Sequence, residues 1–292
     1  MMIAEHLARF AAHSCPPDRA LAVMQLSLLD WCAVGIAGQD EPVAKILRAQ
    51  ALDEAGAPQA GMFGSPQKVP ARMAAMVNGT TSHALDFDDT HFAHIGHPSV
   101  AVIPATLAVA QLTSASGAEF QQAALIGAEA SIRVGMWLGR GHYQVGYHQT
   151  ATAGAFGATL AAARLLQLDQ GQTKMALGLV STRASGLKSQ FGSMGKPMNA
   201  GYAAANGVET ALLARRGFIS DPNAIEGVCG FSTTHHGEEN MAAFDGIGKD
   251  WLFETVSHKY HACCHGLHAM LEALGPVLPL DCDAISKVVI HT

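Results

Sequence analysis

Apolar residues recur at helical spacing from the start of the chain to about residue 217, and this periodicity constrains the fold more than any other feature. It predicts a helical body. Nearly half of the 292 residues are apolar and 14% are charged, so the helices can bury a large common core. Thirty glycines and many alanines predict helices that approach one another closely.

The N-terminus reads as an amphipathic helix with early charge, and no signal peptide is expected. Helices are predicted over 20–37, stopped near Gly38, and over 41–55, where Val43, Ile46, Leu47, Ala51 and Leu52 share one face. Residues 56–70 read as a loop with a short extended piece at 61–64. A helix over 71–86 leads into a polar, His-rich loop at 87–99. The next helix carries Pro104 near its front and ends at Ser116-Gly117, and another runs from 118 to about 139. Helices over 148–166 and 173–187 are joined at Leu168-Asp169, and a last one covers 198–216. Arg215-Arg216-Gly217 supplies basic charge and then glycine, as a helix C-terminus prefers. After residue 218 the composition turns to Gly, Asn, Asp and His, and residues 285–291 alternate like a strand. The predicted class is mainly α, with a helical domain over 1–248 and a sheet-containing segment beginning at 249–292.

The formal charge is −6 without a Lys/Arg block, so no nucleic-acid partner is expected. No apolar run stands out as a membrane span. Six cysteines without a regular framework suit a reducing, cytoplasmic setting.

Four segments carry chemistry. Between residues 83 and 99 lie Asp86, Asp88, Asp89, Thr90 and the histidines 83, 91, 94 and 97. Such a set can supply a general acid, a general base and substrate hydrogen bonds. Alternatively Asp88, Asp89 or Thr90 caps a helix, His83 sits in the core, or the loop binds a divalent metal. Second, His148 precedes a small-residue helix, where it can meet an anion or simply form a capping segment. Third, Lys196 lies among glycines, but Pro197 stands where a phosphate loop needs Ser or Thr, and residue 190 is not glycine. Lys196 then reads as a fixed charge for a substrate carboxylate, or as a surface lysine. Fourth, residues 258–268 mix His and Cys in a spacing too crowded for a closed zinc site. A helix starting near His265 would put His265 and His268 one turn apart, facing one cleft.

Taken in order, these segments resemble the MmgE/PrpD family, which includes 2-methylcitrate dehydratase-like enzymes, cis-aconitate decarboxylase and iminodisuccinate epimerase. The resemblance rests on His-Ala-Leu-Asp-Phe-Asp-Asp-Thr-His at 83–91, His-Pro-Ser at 97–99, and Ile-Pro-Ala at 103–105. It continues through His-Gln-Thr-Ala-Thr-Ala-Gly-Ala-Phe-Gly at 148–157, Gly-Ser-Met-Gly-Lys-Pro at 192–197, and the segment from Lys259 through Cys263-Cys264 to His268. It implies a large helical domain with a smaller α/β lid, a site between them, a homodimer, and di- or tricarboxylate substrates handled without metal or organic cofactor. Carried over by position, it implies Asp86, His97 and His148 as catalytic residues, with Thr90, Lys196 and Lys259 on the substrate; the one-turn spacing read above adds His265 and His268 to the substrate-binding set. Three features depart from the family pattern. Lys196-Pro197 continues as Met198-Asn199 rather than Leu-His, Lys259 is followed by Tyr-His, and Cys264 stands where decarboxylase-type members use a histidine. The family's greater usual length implies that the lid is incomplete here.

The chemistry so implied is proton transfer at a carbon next to a carboxylate. Lysines would hold the carboxylates and offset an enolate-like charge. A hydro-lyase of the 2-methylcitrate dehydratase type is the leading expectation. An epimerase of a dicarboxylate, a non-catalytic dimerising paralogue, and a metal protein using residues 258–268 are the alternatives.

Overall fold

The computed structural model describes residues 2–290. Its body is helical, as the periodicity predicts. The longer helices are α1 (Ile3–His13), α2 (Asp18–Gly38), α3 (Pro42–Glu54), α4 (Ala71–His83) and α5 (Ser99–Thr113), followed by α6 (Gly117–Gln144), α7 (Gln149–Leu165), α8 (Gln170–Ser181) and α9 (Gly195–Arg215). Short helices α10 (Phe231–Thr234) and α11 (His268–Leu274) follow. The loop expected at 56–70, with its extended piece at 61–64, contains a hairpin, with β1 (Ala60–Met62) antiparallel to β2 (Ser65–Val69). Gly64, at φ 71°, makes its turn, a conformation that glycine adopts without steric cost.

Helix α7 is central and packs against α5, α6, α8 and α9. It is buried from Gln149 through Ala163, on every face. Its small residues permit this. A Cβ placed on Gly157 would collide with the carbonyl oxygen of Gly127 in α6, and a Cβ on Gly127 would strike the carbonyl of Gly157. The two backbones therefore touch. Helices α4 and α9 meet in the same way at Gly201, whose missing side chain leaves room for Thr80 and the carbonyl of Met76.

Several helix ends differ from the predicted bounds, each for a local physical reason. Ser116 does not stop α5. It caps α6, exchanging bonds with Glu119 in a capping box, and α5 ends at Ser114 in a left-handed conformation. Asp169 forms the corresponding box with Gln172 and starts α8 earlier than expected. Helix α4 ends at His83, not 86, and Asp86 takes φ 52°. Helix α6 runs to Gln144 across a break at Gly139. The strand expected at 285–291 is not formed over 285–290, and His291 lies outside the described residues. A strand needs a neighbour to complete its ladder, and no strand lies alongside among the described residues.

Helix α2 is long and apolar enough to cross a membrane by length and composition alone, with a mean hydropathy of 1.7, contrary to the expectation that no run stands out. One face of it, with Met24, Trp31 and Val34, enters the core. Leu26, Leu29 and Ile36 are exposed.

The segment after α10 is fastened to α6 by a buried ion pair. Arg133 Nε lies 2.7 Å from Glu129 Oε1, and the guanidinium also donates to the carbonyls of Ala243, Asp245 and Asp250. Glu129 in turn accepts from the Phe253 amide at 2.9 Å. This clamp, with Trp251 and Phe253 in the core, sets the path of the chain that delivers Lys259.

Candidate functional site

Three helices begin at one place. Ser99 opens α5, His148 caps α7, and Lys196 lies in the first turn of α9. Cross-links tie these starts together. The His97 amide donates to Thr150 Oγ1 at 3.1 Å, and Asn199 Nδ2 lies 3.3 Å from His148 Nδ1. Helix N-termini carry partial positive charge, so their convergence favours an anion.

The loop between α4 and α5 supplies the acids. Asp89 accepts from the Ser99 amide at 3.3 Å and from its hydroxyl at 2.5 Å, which holds the first residue of α5, although Pro98 occupies the N-cap position. Asp88 is buried between two rings, with Oδ1 2.8 Å from His83 Nδ1 and Oδ2 2.7 Å from His97 Nδ1. Asp86 faces both lysines. Its Oδ2 lies 2.5 Å from Lys196 Nζ and its Oδ1 3.2 Å from Lys259 Nζ, and Lys259 also donates to its backbone carbonyl at 2.5 Å. His97 Nε2 lies 3.5 Å from Asp86 Oδ1.

The rings pack closely, His83 edge-on to His97 and face-on to His148. His83 sits 4.7 Å from His97 and 5.8 Å from His148, centroid to centroid. Burial lowers the pKa of both His97 and His148, that of His148 strongly, and the Asp88 carboxylate only partly restores His97. Burial alone would raise Asp88, but the imidazoles of His83 and His97 overturn that and hold it well below the carboxylate range. Asp86 is also lowered: burial opposes ionisation there, and His97, His83 and Lys259 outweigh it.

The sequence candidates Asp86, His97, His148, Lys196 and Lys259 therefore meet. Thr90 and His265 form the edge, with Thr90 Oγ1 2.7 Å from His265 Nδ1 and a backbone bridge from Thr90 to Ser257. The His268 ring packs at a tilt against that of His265, 4.6 Å between centroids. The two are neighbours as expected, although a 3-10 turn at His265–Leu267 precedes α11. A cleft of about 380 Å³ lined by Ser257, His258, Lys259, Tyr260 and His265 opens beside them. A larger cleft of about 530 Å³ lies elsewhere, beside Arg164 and Glu119, and holds no comparable set of groups. His91 and His94 turn away. His91 Nε2 contacts the Leu252 carbonyl and the Thr255 hydroxyl, and His94 is packed against Gly135.

Several residues near the centre have no specific role in the sequence. Asp88 stands there only as one of a chemical set or as a helix cap, and Asn199 only as a departure from a motif. Asn199 had a readable signal, since it stands three residues after Lys196 on one helical face. Ser27 and Asp30 reach the site from α2, where Ser27 Oγ lies 2.9 Å from His258 Nε2. Burial, then the charges of Asp89 and Asp88, push Asp30 up to about 7.

His83, Asp86, Asp88 and His97 each offer an atom within 4.8 Å of the others, close enough for a metal ion. A cation there would meet the ammonium groups of Lys196 and Lys259, which already occupy Asp86. The donor set suits an anion better. The zinc reading of residues 258–268 lacks geometry. His258 points to Ser27, His265 to Thr90, and His261 to Glu272.

Fold and site together define a helical protein with a candidate acid–base centre arranged for a small anion. The chain belongs to the MmgE/PrpD family: the family's "MmgE/PrpD N-terminal domain" matches residues 2–243. It is similar to "Cis-aconitate decarboxylase-like protein oryM" of Aspergillus oryzae (strain ATCC 42149 / RIB 40), at 30% identity over 89% of this chain and 58% of that protein. It is 32% identical to the cis-aconitate decarboxylase of Aspergillus terreus over 73% of this chain and 46% of that protein. The Homo sapiens cis-aconitate decarboxylase is 27% identical over the same shares. The chain spans about half the length of the curated relatives it matches.

Proposed function

We propose that this chain is the catalytic body of a cofactor-independent lyase that moves a proton at the carbon next to a carboxylate of a small di- or tricarboxylate. The observation that carries this reading is the pairing of Lys196 and Lys259 on Asp86 beside the buried His97 and His148. Two ammonium groups can take two substrate carboxylates and stabilise the charge that develops on the adjacent carbon. His97 and His148 are the acid–base pair, and Asp86 orients His97. Thr90, His265 and His268 bind substrate at the rim. A homodimer goes with this reading.

Dehydration is the first reaction we assign to it. Decarboxylation is a second reading, favoured by the names of the relatives and by His265, which reaches Thr90 although Cys264 holds the decarboxylase-type histidine position. Epimerisation would use the same two histidines on opposite faces.

An NMR screen of small di- and tricarboxylates in deuterated water tests the proposal. Loss of water, loss of carbon dioxide, or deuterium entry alone would separate dehydratase, decarboxylase and epimerase. Absence of both turnover and exchange on every acid in the panel would sink it.

A further inference from the structure

We infer that Asp88 and Asn199 are positioning residues that set opposite tautomers on the two histidines, making His97 the proton acceptor and His148 the proton donor. This inference rests on the reaction class proposed above and assigns the roles within it.

The argument follows from what each Nδ1 faces. His97 Nδ1 lies 2.7 Å from a carboxylate oxygen of Asp88. A carboxylate only accepts, so the proton belongs on Nδ1 and the lone pair on Nε2. The contact is short of a well-aligned hydrogen bond, but Asp88 is the nearer of the two carboxylates, since Asp86 stands 3.5 Å from Nε2, and it therefore draws the proton to Nδ1. Asp88 repeats the device on His83, whose Nδ1 donates to its other oxygen at 2.8 Å. His83 Nε2 is buried without a partner, so that ring serves as a fixed wall between its two neighbours.

His148 faces the opposite partner. Asn199 presents its amide nitrogen, which also donates to the Leu187 carbonyl at 3.4 Å, to His148 Nδ1 at 3.3 Å. An amide N–H only donates, so Nδ1 accepts and the proton belongs on Nε2. Neither Nε2 has a hydrogen bond to another residue among the described residues, and His97 Nε2 points toward Asp86.

The proton count balances. His97 Nε2 takes the proton from the carbon, and the electron pair passes into the enolate held by the lysines. His148 Nε2 gives its proton to the departing hydroxyl, which leaves as water, and the proton gathered by His97 returns through solvent to the His148 ring, so both histidines end neutral. Asp86, 3.5 Å from His97 Nε2, stabilises the imidazolium formed there.

The test is a 15N spectrum of the histidine side chains in the 292-residue protein, with variants D88N and N199D. The expected wild-type result is a protonated Nδ1 on His97 and a protonated Nε2 on His148. D88N should move the His97 proton to Nε2, and N199D should move the His148 proton to Nδ1. In turnover, D88N should lower kcat by roughly 10²- to 10⁴-fold with KM little changed, as a wrong tautomer does behind a catalytic histidine. N199D should keep deuterium exchange at the substrate carbon while product formation falls. A His97 proton on Nε2, or a His148 proton on Nδ1, in the wild type would overturn the inference. So would unchanged tautomers in folded variants. A wild type inert toward every acid would refute the proposed activity, and the spectrum would still decide the tautomers.

Discussion

Lys196 Nζ lies 2.5 Å from Asp86 Oδ2, so the charge best placed to hold a substrate carboxylate is already neutralised by the protein's own. A bound substrate must compete with Asp86 or share the two lysines with it. The variant D86N separates these roles. It frees Lys196 and Lys259 and takes the counter-charge from His97. Binding of an unreactive tricarboxylate, followed by calorimetry, should strengthen or stay level, while kcat falls by roughly 10²-fold, the scale of one acid–base contribution. Weaker binding together with unchanged kcat would show that Asp86 plays neither part.

The lowered pKa values of His97 and His148 fix a sign with respect to pH. Both lie below the ordinary 6.5 because burial disfavours the charged ring. The unfolded chain then binds more protons than the native one as pH drops below 6.5, and stability is lost through that acidic window. His97 must also be neutral to accept a proton. The acid limb of kcat/KM should therefore lie below pH 6.5, and a limb centred above 7 would contradict the arrangement.

Asp30 works in the opposite direction. Its folded pKa of about 7 stands above the ordinary 3.8. The native state holds a proton that the unfolded chain has released, so this contribution is complete below pH 3.8 and lost as pH rises through 7. After discounting for its half-exposed position, ionisation at pH 8 costs about 1–2 kcal/mol. D30N should be more stable than the wild type by that amount at pH 8, and the gain should shrink by pH 5. Denaturant unfolding at the two pH values measures it.

Glu129 and Arg133 make a stability prediction at a distance from the chemistry. R133M would strand a buried carboxylate, a loss of about 3–5 kcal/mol. The double variant E129Q/R133M should recover part of it in the same unfolding measurement. If R133M alone unfolds at the wild-type denaturant midpoint, the clamp contributes nothing.

The helices were legible because their periodicity and small residues answer to local rules. Their ends were less so, because Ser116 and Asp169 look like turn residues until Glu119 and Gln172 are seen to bond back to them. The motifs named Asp86, His97, His148, Lys196 and Lys259, and the structure brings them together. What they could not tell was which neighbour each ring faces. Asp88 and Asp89 are adjacent and alike in sequence, yet Asp89 holds the start of α5 at Ser99 while Asp88 holds two histidine rings. Ser27 and Asp30 belong to an apolar helix, and Ser27 meets His258 across 231 residues of sequence, which no local pattern encodes. The expected strand near residue 285 shows the converse: alternation is a local signal, and it lacks force without a neighbour.

The contact of Gly127 with Gly157 has a consequence for how such a protein can diversify. Where two backbones touch, no side chain is available to compensate for an enlarged one, so that seam tolerates almost no drift. The rim is different. Tyr260 and Leu267 are solvent-facing, and residues there can be exchanged without disturbing the scaffold. New substrate preferences are therefore open to selection at the mouth of the cleft, while the helical frame beneath stays unchanged.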